Sequence, residues 1–165
     1  MKLWISAGEL SGDIQAAELL HALRLECDGR NLPLEAVGMG GDRLEQAGQR
    51  NILSIEELSV MGVVEVLGIL PRIPGILRRI RRAMEQEKPD AVLLVDAPEF
   101  NFRVAKIAGS LNIPVYYFIP PKVWAWRTGR VAFLKQHIRR IFSILPFEVA
   151  FYQAHGMSVD YVGNP

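Results

Sequence analysis

Residues 91–102, AVLLVDAPEFNF, run four consecutive large apolar side chains straight into Asp96, then a proline and a second acid. A run of that kind is built to be buried, so the carboxylate at its tip has to be delivered to an edge. Glu99 and Asn101 follow within the next five residues and would gather polar groups at the same place. A carboxylate there can take the proton from an attacking hydroxyl if its surroundings tune its basicity. A plainer reading also fits: strand-end carboxylates often cap the next helix or accept backbone hydrogen bonds.

The first turn, AGELSGD, is the second cluster. Gly8 and Gly12 permit a tight turn, but the spacing is neither the dinucleotide fingerprint G-x-G-x-x-G nor a P-loop. Glu9 and Asp13 put two carboxylates where a phosphate would otherwise be welcome, which argues against an anion cradle. Acids beside backbone donors suit hydroxyl groups, such as those of a sugar. Equally, Ser11 could cap the following helix and Asp13 complement its dipole. In the third cluster, FIPPKVWAWRTGR (118–130), Trp124 and Trp126 could stack on a ring while Lys122, Arg127 and Arg130 bind a phosphate. Alternatively the tryptophans cover the core; in extended chain their spacing points them to opposite faces.

A different chemistry is suggested by residues 60–88, VMGVVEVLGILPRIPGILRRIRRAMEQEK. Val63, Val64, Val66, Leu67, Ile69 and Leu70 lead, broken by Gly62, Gly68 and Pro71. Beyond Pro74, Ile76, Leu77, Ile80, Ala83 and Met84 form an apolar stripe edged by Arg78, Arg79, Arg81 and Arg82. Apolar surface rimmed by arginine is how a peripheral protein addresses an anionic bilayer. A sheet-covering helix with a solvated basic face, or a protein interface, remains open. His21, His137 and His155 show no metal-ligand spacing, and Cys27 falls on an apolar stripe as a small core residue.

Positioning these groups requires a scaffold, and short apolar runs supply it: KLWISA (2–7), LEAVGM (34–39), AVLLVDA (91–97), PVYYFI (114–119), RIFSIL (140–145) and VDYVG (159–163). Helical periodicities lie between most of them: Ala16, Leu19, Leu20, Leu23 and Cys27 share one face, and PFEVAFYQAHG opens on proline and stops on glycine. Alternating helices and apolar strands imply an α/β, Rossmann-like, doubly wound, mostly parallel sheet, whose ligands bind beyond the carboxyl ends of the strands. The 165 residues suit one domain. A formal charge of +1, with no recognisable module, argues against nucleic acid. A single cysteine excludes an internal disulfide and suits a reducing compartment. The start, MKLWISAGE, turns polar too soon for a signal peptide, and no apolar run approaches the ~20 residues of a membrane span.

In order along the chain, GELSGD, VMGVVEVLG, DAPEFN, VWAWR, LPFE and YVGNP together closely resemble the amino-terminal half of the lipid A disaccharide synthases. The resemblance covers essentially the entire sequence. It implies half of a GT-B glycosyltransferase, with the active site in the cleft between two Rossmann-like domains. The implied reaction joins UDP-2,3-diacylglucosamine to 2,3-diacylglucosamine 1-phosphate with inversion, releases UDP and needs no metal or other cofactor. It makes Asp96 the base and carries Glu9, Ser11, Asp13, Glu99, Asn101, Trp124, Trp126 and Arg127 to the substrate side. It also implies work on the cytoplasmic face of the bacterial inner membrane. Two departures stand out: Pro120 where the family usually has serine, and Asn164 where histidine is common. The donor-binding domain would begin just after Pro165, so this chain is expected to be an acceptor-side half, inactive alone, either excised or partnered by a separately encoded half. The alternative is a non-catalytic lipid-binding or membrane-docking module of the same fold.

Overall fold

The computed structural model describes residues 1–59, 72–122 and 130–163. Its elements run β1 (Lys2–Ala7), α1 (Leu10–Gly29), β2 (Glu35–Gly40), α2 (Asp42–Gln46), β3 (Arg50–Ser54) and α3 (Glu56–Ser59). They continue through α4 (Ile73–Glu87), β4 (Ala91–Val95), α5 (Pro98–Ser110), β5 (Val115–Phe118), α6 (Arg130–His137), β6 (Arg140–Ser143), α7 (Pro146–Ala154) and β7 (Val159–Tyr161). The strands form one sheet of seven in the order β3-β2-β1-β4-β5-β6-β7, every pairing parallel. Growth is leftward from β1 and then rightward from β4. The order therefore reverses between β1 and β4, where the loops leaving their carboxyl ends diverge and open a crevice.

Hydrophobic burial holds the sheet between unequal layers. On one face, Trp4, Val37, Leu94 and Tyr117 pack with Ile80 and Met84 of α4, Val104 of α5 and Leu134 of α6. On the other, Leu3, Ile5, Leu93 and Phe118 meet Ala16 and Leu20 of α1 and Leu44 of α2. Beside α1 an apolar trough of about 650 Å³ remains open, lined by Leu19, Leu23, Leu93, Tyr116, Phe118 and Phe142. The rings of Tyr116 and Phe142 stack along it with centroids 6.2 Å apart. No helix among the described residues is long and apolar enough to cross a membrane.

The expected parallel Rossmann-like sheet is borne out, with differences at its edge. The edge strand β3 escapes a reading by apolar runs, since RNILS offers only Ile52 and Leu53 between polar residues. Cys27 is only partly buried, because α1 turns its last two turns toward solvent past Leu20. The apolar stripe of α4 is likewise corrected as a bilayer-facing surface: Ile76, Ile80, Ala83 and Met84 pack into the core. What faces solvent on α4 is arginine. Arg78, Arg79, Arg81 and Arg82 are exposed, with Arg79 paired to Glu57 of α3 and Arg81 to Glu85. Val63, Val64, Val66, Leu67, Ile69 and Leu70 lie outside the described residues.

Asp13 requires the largest correction. Rather than facing substrate, it is fully buried and caps a helix that begins 29 residues later in the chain. Gly41, at the head of α2, has no side chain with which to satisfy the helix's first amides. Asp13 Oδ1 accepts hydrogen bonds from the Gly41 and Leu44 amides at 2.7 and 3.3 Å, and Oδ2 accepts one from Arg43 at 3.0 Å. A Cβ on Gly41 would stand 2.7 Å from Asp13 Oδ2, so the glycine is what lets the carboxylate in. The negative charge also suits the positive end of α2.

At the opposite pole from the crevice, charges tie the amino ends of the strands. Glu87, at the end of α4, accepts from Lys2 Nζ at 2.9 Å and from Arg50 Nη2 at 2.8 Å, while Lys2 and Arg50 also reach Glu35. Arg50 and then Lys2 hold the Glu87 carboxyl below its ordinary value of 4.5.

Two outcomes follow. Asp13→Ala, which strands buried amides, should lower the free energy of unfolding in urea by about 3 kcal/mol, and Asp13→Asn by less because one acceptor oxygen survives. Glu87 contributes stability that is fully present above its ordinary value and is lost as pH falls through its lowered one. Melting temperature should therefore fall on acidification below about pH 4.5, and Glu87→Gln should make that fall shallower.

Candidate functional site

The crevice at the β1/β4 divergence has a volume of about 660 Å³, and its walls include Ser11, Gln15, Asp96, Glu99, Lys122 and Arg130. Two close approaches shape it. A Cβ on Gly8 would lie 2.6 Å from the Ala97 Cβ, so the turn after β1 can press against the turn after β4 only without a side chain there. With the turns in contact, the Ser11 hydroxyl reaches Asp96 Oδ2 at 3.5 Å, although the two residues are 85 apart in sequence. Ser11 is thus not the cap expected of it: α1 starts from Glu9, whose backbone is extended, with no side-chain cap.

Asp96 stands at the lip because the backbone beneath it is forced. Asp96 and Ala97 have φ of +50° and +42°, two successive non-glycine residues in the left-handed region. Such conformations cost on the order of 1–3 kcal/mol each and persist only where neighbours enforce them. The neighbours here are polar and deep. Asn101 Nδ2 donates to the carbonyls of Asp96, Val95 and Ser6 at 2.8, 3.1 and 3.3 Å. Ser6 Oγ donates to Asn101 Oδ1 at 2.8 Å, which fixes the orientation of the amide. Tyr117 Oη donates to the Asp96 carbonyl at 2.7 Å. Pro98 then opens α5 at a position where no amide hydrogen is needed, and Asn101 N closes the first turn on the Ala97 carbonyl at 2.9 Å.

Asn101 was expected at the substrate and is corrected: it is fully buried, and its side-chain amide is occupied in holding the turn. Tyr117 and Ser6 complete this clamp without having been anticipated. A hydroxyl in the otherwise apolar strand KLWISA was the available signal for Ser6, because a buried polar group needs a partner. For Tyr117, one of two adjacent tyrosines in β5, the sequence held no such signal. Burial pushes the Tyr117 phenol well above its ordinary range, and the nearby Asp96 charge pushes it further, so it remains a donor.

The remaining groups are distributed around the lip. Glu99, in the first turn of α5, is exposed and forms an ion pair with Arg130 Nη2 at 2.5 Å. Glu9 is exposed and borders, with Glu99, a smaller adjoining hollow of about 310 Å³. Trp124, Trp126 and Arg127 lie outside the described residues, as does Asn164. Among the described residues, no group of three or more histidine, cysteine or acidic side chains is arranged to hold a metal ion. The arrangement can therefore offer a carboxylate and a hydroxyl to one side of a ligand and cationic groups, Lys122 and Arg130, to another.

Structural neighbours share this sheet at low sequence identity. The UDP-GlcNAc 2-epimerase of Neisseria meningitidis, solved with UDP-GlcNAc, matches at a TM-score of 0.68 with 16% identity, over 99% of this chain and 47% of its own. The epimerase of Methanocaldococcus jannaschii gives 0.69 with 17% identity, over 99% and 46%. Sequence relatives are nearer. The lipid-A-disaccharide synthase of Myxococcus xanthus is 46% identical over 164 residues, 99% of this chain and 42% of its own length. That of Koribacter versatilis is 40% identical over 166 residues, 100% of this chain and 42% of its own. The chain thus spans about two fifths of the length of these curated relatives. The family model described as lipid-A-disaccharide synthetase matches residues 3–165, and with a match of that extent the chain belongs to that family.

Proposed function

We propose that this domain is the acceptor-binding, base-supplying half of an inverting glycosyltransferase that forms the lipid A disaccharide. The donor is UDP-2,3-diacylglucosamine and the acceptor 2,3-diacylglucosamine 1-phosphate. The observation that carries the reading is the Asp96 carboxylate, raised by a strained turn to the edge of the crevice beside the Ser11 hydroxyl. The acceptor's 6-oxygen forms its bond to the donor's anomeric carbon while the bond from that carbon to the UDP oxygen breaks. The bonding pair leaves with UDP, and the hydroxyl proton passes to Asp96. Attack from the face opposite the departing UDP inverts the anomeric centre. Ser11, within reach of Asp96 Oδ2, is suited to orient either the carboxylate or the incoming hydroxyl.

A second, donor-binding domain faces the crevice, supplied by the same polypeptide or by a separate one. The exposed arginines of α4, Arg78, Arg79 and Arg82, together with Val63, Val64, Val66, Leu67, Ile69 and Leu70, meet the cytoplasmic surface of the inner membrane, where acylated substrates reside. Trp124, Trp126 and Arg127, which follow Lys122 in sequence, contribute to the substrate side.

In a two-domain enzyme carrying this sequence, Asp96→Ala should lower turnover by about 10² or more with little change in folding. Near-normal turnover would reject Asp96 as the base, whereas binding to anionic liposomes with no transfer when a carboxyl-terminal half is supplied would favour the lipid-docking module. The clamp predicts a separate kinetic pattern. Tyr117→Phe keeps the ring and removes one of the two side-chain donors to the Asp96 carbonyl, so kcat should fall by about tenfold at nearly constant KM. Asn101→Ala should cost folding as well, about 2 kcal/mol or more, since buried carbonyls lose their donor.

A further inference from the structure

We propose that Arg130 is the anion anchor of the crevice, exchanging Glu99 for a phosphate oxyanion of the sugar substrate. The guanidinium is well placed for this. Arg130 lines the same crevice as Asp96 and is only 23% exposed. Its Cζ lies 5.3 Å from the centre of the Phe102 ring, and that ring is braced by Phe133 at 4.6 Å and by Tyr117, edge-on, at 6.5 Å. A guanidinium seated on an aromatic ring keeps its edge of N–H donors in a fixed direction, and that edge matches phosphate geometry.

Its present partner is suited to leave. The Glu99 side chain is 72% exposed, and an ion pair with so solvated a carboxylate is weak and screened by salt. Glu99 also sits in the first turn of α5, where the helix dipole favours its charge even when Arg130 turns away. A phosphate has more oxygens and more charge than a carboxylate, and in a crevice with Lys122 on its wall it is the stronger competitor. Glu99 then serves to hold Arg130 in position until substrate arrives. Anchoring the phosphate on this wall and accepting the proton at Asp96 would orient one sugar between the two.

The identity of the sugar rests on the glycosyl-transfer reading, but the anion site itself does not. Two phosphates could be the ligand, the acceptor's monoester or the donor's diphosphate, and titration calorimetry on this chain with glucosamine 1-phosphate, glucosamine and UDP separates them. Arg130→Ala should weaken glucosamine 1-phosphate or UDP by about tenfold or more, Arg130→Lys by less, and neither should alter the response to glucosamine. Glu99→Gln should tighten the affected ligand by about two- to fivefold, because the competing carboxylate is gone. The ligand that responds names the phosphate. If neither affinity moves with Arg130→Ala or with Glu99→Gln, and the two variants merely lower the melting temperature together, the pair is a staple between α5 and α6 and the proposal fails. An Arg130-dependent phosphate affinity in a chain whose two-domain form transfers nothing would sink the glycosyl-transfer reading and leave the anchor standing. Transfer that needs Asp96 but keeps its KM for both substrates in Arg130→Ala would do the reverse.

Discussion

The turn at Asp96 and Ala97 is held in a backbone conformation that neither residue favours, by hydrogen bonds from the side chains of Asn101 in the following helix and Tyr117 in the next strand. Asn101 and Tyr117 converge on the Asp96 carbonyl, and Ser6, from the neighbouring strand, keeps the Asn101 amide from rotating. Strain of a few kcal/mol is sustained because relaxing it would leave buried polar groups without partners, which costs a comparable amount. The turn is consequently bistable only at the expense of the core. Its side chain is left at the lip with few directions available, which is the condition under which a carboxylate can be aimed at a bound hydroxyl.

The two halves of the sheet contribute differently to that outcome. The β1 side brings Gly8 and Ser11, and the absence of a Cβ at Gly8 sets how closely the first turn can approach. The β4 side brings the acid and the clamp. Their meeting is a consequence of topology: β1 and β4 are neighbours, paired along Leu3–Ala7 and Ala91–Val95, and where the strand order reverses the helices that follow them leave to opposite faces, with the two turns side by side beneath the crevice. Elsewhere the same chemistry serves folding. Asp13 is an acid in the first turn, just as Glu9 is, yet Asp13 lies inside and caps α2 whereas Glu9 stays in solvent.

That pair of acids shows how far the residues alone could be read. Periodicity and apolar runs made the parallel α/β fold legible, along with the strand-end position of Asp96, because both arise from local patterns of burial. The fates of Asp13 and Asn101 were not legible, since each is decided by partners remote in sequence: Gly41 for the first, Ser6 for the second. For α4 the local pattern was right and its destination ambiguous. An apolar stripe edged by arginine is the same sequence whether the stripe faces lipid or a sheet, and only the packing of Ile80 and Met84 against the strands decides it. The edge strand β3 carried too few apolar residues to announce itself, as suits a strand with one neighbour.

The crevice also has a polarity that follows from these placements. On its carboxylate wall the backbone of Asp96 is fixed by hydrogen bonds from Asn101 and Tyr117, and its cationic wall is held by an exposed ion pair and an aromatic platform. A ligand that takes Arg130 from Glu99 displaces an exposed carboxylate, whereas one that moved the Asp96 backbone would have to break the bonds from Asn101 and Tyr117. Adjustment to a ligand therefore falls on the Arg130 side, while the Asp96 backbone stays fixed. A proton acceptor gains from immobility because its effectiveness depends on distance and direction to one hydroxyl. An anion anchor gains from exchangeability because it must release its ligand after each turnover. The division of labour between a strained, clamped turn and a solvated ion pair is thus what would allow one domain both to aim a base and to bind reversibly.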